Sequence, residues 1–126
     1  MVTTEVSQLS GECNTWRNAL RSHRDELQTF RKQLQEVAGR QTKREILQEI
    51  EHLHNQFHIQ LINIHDLKQS IKTHDRRISL EKSQNSSNSM EQILAEHEEL
   101  FDQYESLEHT LEDLHDEFRH FMQRAH

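Results

Sequence analysis

Eleven histidines and sixteen glutamates share a chain of 126 residues. Imidazole and carboxylate are side chains that pass protons and bind metal ions at neutral pH. Two segments, Glu51-His52-Leu53-His54 and Glu112-Asp113-Leu114-His115, contain Glu-x-x-His. Residues three apart on a helix lie on one face, a turn from each other, so each motif sets a carboxylate beside an imidazole. His54 and His58, four apart, could also clip a single ion between them.

This pair of motifs resembles the ligand pattern of di-iron and di-manganese four-helix bundles, where two further glutamates complete the site. The resemblance implies a metal set of Glu51, His54, Glu112 and His115, with His23 and Glu26 at a similar level; His58 joins the candidates only through its clip with His54. Heptad placement argues against it. Both motif glutamates fall outside the apolar seam described below, whereas His23 falls within it. Bringing them together would rotate the helices and expose Leu or Ile residues at ~1.5–3 kcal/mol each. We therefore expect Glu51 and Glu112 in solvent, no transition metal at this set, no catalytic residues and no cofactor.

The seam consists of apolar residues at alternating spacings of three and four, the mark of heptad-packed helices. It runs Val6, Leu9, Cys13, Trp16, Leu20, His23, Leu27, Phe30, Leu34, Val37 in the first segment. In the second it runs Ile46, Ile50, Leu53, Phe57, Gln60, Ile64, Leu67, Ile71, His74, Ile78. In the third it runs Met90, Ile93, His97, Leu100, Tyr104, Leu107, Leu111, Leu114, Phe118, Phe121. Of these thirty positions only His23, Gln60, His74 and His97 are polar, so the segments are amphipathic helices and not disordered chain.

Helix-ending chemistry falls between them. Gly39 suits a left-handed C-terminal cap. Thr42 with Glu45 forms a capping-box pattern, and Asn88 with Glu91 repeats it after a polar loop from Ser83 to Asn88. The expected helices cover about 5–38, 43–81 and 89–124 of a single domain, 1–126. Short connections make neighbours antiparallel. The expected fold is all-α: an up-down-up antiparallel three-helix bundle with long, coiled-coil-like helices.

Turns centred near residues 40 and 86 put residue i of the first helix level with about 81−i of the second. By the same construction, residue i of the second lies level with about 171−i of the third. His74 then meets His97, and His23 comes close to Gln60. We expect each pair to satisfy itself by hydrogen bonding and to fix the register. Cys13 reads as a small buried hydrophobe, and Trp16 and Tyr104 as core. Buried histidines should make the fold acid-sensitive.

The net charge of −7 disfavours a general role in binding nucleic acid. No apolar run approaches the ~18 residues of a membrane span. The N-terminal residues lack a signal-peptide pattern, and the single cysteine has no internal disulfide partner, so we expect a cytoplasmic protein. No phosphate-binding loop, nucleophile elbow or small-molecule substrate site is visible. Eleven acids against two bases from Ser89 onward make the third helix acidic, and Arg17, Arg21, Arg24 and Arg31 are expected beside it. Leu47, Ile59, Leu61, Ile62, Leu94, Phe101 and Met122 lie outside the seam and either widen the core across a broad helix face or form a self-association surface. The functional expectation is a non-enzymatic helical bundle working through a protein partner or as a homodimer. The alternative is the histidine–glutamate metal bundle.

Overall fold

The heptad seam dictates three helices, and the computed structural model contains them: α1 Val2–Ala38, α2 Arg44–Gln84 and α3 Ser87–Arg124. It describes the backbone of residues 2–84 and 87–125, and the side chains of 6–81 and 90–125. With 37, 41 and 38 residues, each helix is about 55–60 Å long at 1.5 Å per residue. The helices run up, down and up. Ser10 near the start of α1 bonds Asp75 near the end of α2, while Arg124 at the end of α3 bonds Glu49 near the start of α2.

Every buried residue among those described is a seam residue, and no seam residue is exposed. The seam is therefore the core. Its polar members Gln60, His74 and His97 are buried with it, and His23 is half-buried. α1 lies close along α2, and its backbone stands further from α3. Aromatic side chains span that wider gap. Near one end Trp16 contacts His97, Phe101 and Tyr104, with ring centroids 4.7, 5.8 and 5.8 Å away. Toward the other end Phe30 stacks on Phe118 at 4.6 Å, and Phe57 of α2 meets the same Phe118 ring edge-on from its own side at 5.4 Å.

The helix ends differ from the sequence expectations in detail. Gly39 does not take the left-handed conformation of a cap. Its N–H continues the helix to Gln35 O, and α1 then closes by tighter bonds, Arg40 N–H to Val37 O and Gln41 N–H to Ala38 O. These three-residue bonds satisfy terminal carbonyls without a glycine-specific turn. α2 opens one residue later than Thr42-x-x-Glu45 predicts, because its first helical bond runs from Leu47 N–H to the Lys43 carbonyl. The expected Ser83–Asn88 loop is shorter than drawn: helix persists to Gln84 and resumes at Ser87. Asn88 thus lies inside α3 and not at its cap, and its side chain is outside the described residues. Among the described residues no helix is long and apolar enough to cross a membrane.

Candidate functional site

The flanks of each seam decide which helix a polar side chain meets. On α1, Ser10 and Arg17, one step C-terminal to seam residues Leu9 and Trp16, both reach Asp75 of α2, at 2.7 and 3.2 Å. Glu12 and Glu26, one step before Cys13 and Leu27, face α3 instead and approach His97 and His115. Arg24 and Arg31 share the flank of Arg17 by heptad spacing. The expectation that Arg17 lies beside acidic α3 is therefore corrected, since it pairs with Asp75 of α2, while Arg24 bonds its neighbour Asp25. Histidine–carboxylate contacts join α1 to α3, with His23 to Glu108 and His115 to Glu26, each at 3.0 Å.

The cluster with the most unusual geometry lies near one end of the bundle, one residue from each helix. Cys13 of α1, His74 of α2 and His97 of α3 are all buried, and each offers a ligand atom within 4.8 Å of the other two. His74 Nε2 and His97 Nδ1 are 2.9 Å apart. His74 Nδ1 lies 2.7 Å from a carboxylate oxygen of Glu96, whose other oxygen is held by Arg77. Trp16 covers His97 from one side.

The tautomers follow from these contacts. As a carboxylate, Glu96 can only accept, so His74 Nδ1 carries the proton. A neutral His74 then accepts at Nε2, and His97 must donate from Nδ1. That leaves a bare lone pair on His97 Nε2, which is buried and has no hydrogen-bond partner. It faces Glu12 Oε1 at 3.6 Å, too far for a hydrogen bond, and the carboxylate is itself an acceptor. A neutral pair thus ends with two acceptors opposed, and the site is short of one positive charge. A proton added to His97 is not readily held there. Burial pushes His97 below its ordinary value, repulsion from His74 adds to this, and Glu12 offsets it only in part. Cys13 is silenced in the opposite sense. Burial, with Asp75 next in effect, pushes its thiol up to about 12, far from the thiolate range of reactive cysteines.

His74 and His97 meet as their levels require. His23 and Gln60 do not: His23 turns to Glu108, and Gln60 Oε1 accepts from Asn63 Nδ2 at 3.2 Å on its own helix. The sequence reading also missed Cys13 as a member of a polar cluster. The contacts Ser10–Asp75 and Phe30–Phe57 put α1 about five residues out of the expected register with α2, more than one helical turn. Cys13 therefore faces the level of His74 and not that of Lys68. The signal available in sequence was that Cys13 is a seam residue within a turn or two of the His74–His97 level.

The motif residues are spread out. Glu51, His54, His58 and Glu112 are exposed, and His115 is half-buried against Glu26 and Phe30. No three of them converge among the described residues. Between α2 and α3 an open groove is lined by Leu67 and Leu107 together with the polar side chains of Gln60, Asn63, Asp66, Ser106 and Thr110. Comparison of the chain with protein-family models, curated proteins and solved structures returned no significant match.

Proposed function

We propose that this chain is a non-enzymatic, cytoplasmic helical-bundle protein that works by presenting a helix surface to another protein, first of all to a second copy of itself. The observation that carries this reading is the pair Ile59 and Ile62 on the outside of α2, 46 % and 47 % exposed and outside the core packing. They are three apart, so they lie on one face. Of the rest of the surplus apolar stripe, Leu47, Leu94 and Phe101 are also exposed. Leu61 and Met122 pack against the core, and Phe101 rests on Trp16. Leu80, 56 % exposed, lies eighteen residues beyond Ile62, five turns along the same side of α2. A buried free thiol at Cys13 fits a reducing compartment.

Light scattering across micromolar concentrations tests the proposal. The expected mass is twice the 15.2 kDa of the chain, falling to the single-chain value in Ile59→Glu/Ile62→Glu with helicity retained. A single-chain mass for the unaltered protein at ~100 µM would rule out self-association.

A further inference from the structure

We infer that Cys13, His74 and His97 form a transition-metal site of the zinc type, binding one divalent ion that pins all three helices together. The ligand set is one sulfur and two imidazole nitrogens, the borderline-soft combination that zinc and cobalt accept in tetrahedral geometry. His74 Nε2 and His97 Nδ1 already converge on one point, and the cysteine sulfur lies within 4.8 Å of a ring nitrogen of each histidine. Metal–nitrogen and metal–sulfur bonds of about 2.0–2.3 Å require donor atoms about 3.3–3.6 Å apart in a tetrahedron. From 2.9 Å, the imidazoles need only move apart by less than a bond length, while the sulfur closes in.

The outer nitrogen of each ring supplies the second argument. Metal-bound histidines characteristically donate their remaining N–H to a carboxylate, which fixes the ring and raises its basicity. His74 Nδ1 already faces Glu96, and His97 Nε2 faces Glu12. When an ion takes His74 Nε2 and His97 Nδ1, the His97 proton moves from Nδ1 to Nε2. There it can donate to Glu12 after a small closure of the 3.6 Å gap. The buried unpartnered nitrogen becomes satisfied, and the missing positive charge is supplied. The proton balance is closed: the ion replaces the thiol proton of Cys13, which leaves to solvent, and the histidines keep one proton each. Glu12, its side chain 42 % exposed, stays on the far side of the His97 ring as the acceptor of the Nε2–H, and a water can take the fourth position on the ion.

The test uses the full chain, untagged, reduced and stripped with chelator, titrated with Co²⁺ and Zn²⁺. We expect one tight equivalent, release of about one proton per ion near neutral pH, and a higher Tm. Co²⁺ should give a near-ultraviolet sulfur-to-cobalt charge-transfer band and the visible absorption of a tetrahedral ion. Only one cysteine is present, so that band identifies Cys13 in the unaltered protein even if Cys13→Ser fails to fold. Where Cys13→Ser folds, the band should vanish. Glu12→Gln should weaken binding about 10–100-fold, while His54→Ala/His58→Ala should leave tight binding unchanged. A Co²⁺ complex without the sulfur band would overturn the proposal. So would binding abolished by His54→Ala/His58→Ala, or no binding at micromolar metal.

Discussion

Burial removes Cys13 from ordinary thiol chemistry. Its side chain is fully enclosed and its thiol is pushed up to about 12. In the metal-free native protein it should react with a thiol reagent at least ~100-fold more slowly than in urea-unfolded chain. Timed labelling at pH 8 measures the ratio, and native labelling at the unfolded rate would mean the end of the bundle is open. His97 makes the companion prediction. Its folded value is lowered by burial and by His74, against about 6.5 unfolded. Above that unfolded value both states hold a neutral ring and stability is at its full level. As pH falls below it, the unfolded chain binds the proton first, and stability drops until the folded value is passed. The charged and titratable neighbours are Glu12 and Cys13 from α1, His74 and Asp75 from α2 and Glu96 from α3; Glu12 acts to moderate the drop. Urea denaturation in chelator at pH 7.5 and 5.5 should show the loss, and His97→Leu should reduce it. The same loss in the variant would remove His97 as its cause.

Individual helices are governed by local backbone chemistry, and here the two glycines separate. Gly11 lies inside α1, exposed, with nothing within 4 Å of an added Cβ. Gly11→Ala should stabilise the fold by about 0.5–1 kcal/mol through lower backbone entropy in the unfolded chain and higher helix propensity. Gly39 is not left-handed, and an added Cβ meets only ordinary contacts at 3.6 and 3.7 Å. Gly39→Ala should therefore be neutral or slightly stabilising. A true left-handed cap would make it clearly destabilising, so the sign of the change in urea midpoint decides between the two helix endings. The same contrast marks how far the sequence could be read. Heptad spacing identifies the core side chain by side chain, because period alone selects the buried face. Capping patterns and inter-helix register are weaker signals. Gly39 and Thr42 each had a plausible terminal role that the actual bonds assign elsewhere. An alignment of α1 drawn from the turn missed by more than one helical turn, enough to hide Cys13 from His74 while His74 and His97 stayed matched. The register of α1 depends on how aromatic and small residues mesh along the whole interface, which no single spacing encodes.

Across the whole bundle the aromatic contacts fall into two groups with a polar waist between them. Trp16, Phe101 and Tyr104 lie on one side, and Phe30, Phe57 and Phe118 on the other. Between them His23 reaches Glu108, and Gln60 occupies a seam position with Asn63 as its hydrogen-bond donor. The waist interrupts apolar packing at the level where the groove between α2 and α3 opens beside Leu67 and Leu107. A buried amide of this kind contributes little net stability, since its hydrogen bond replaces one made to water. Its value is in register: a polar side chain among apolar ones penalises a seven-residue slip of one helix along another. Gln60 is 7 % exposed, and Asn63 is exposed, so Asn63 can turn to water when its partner is removed. Gln60→Leu should therefore raise unfolding stability by about 1–2 kcal/mol, within the range for burying a leucine. Urea unfolding followed by Trp16 fluorescence, which reports one end, and by far-ultraviolet circular dichroism, which reports all three helices, provides the test. Both probes should shift together to higher urea. A lower midpoint would show that the Gln60–Asn63 bond holds the waist closed. A shift in circular dichroism alone would show that the two halves of the bundle unfold separately.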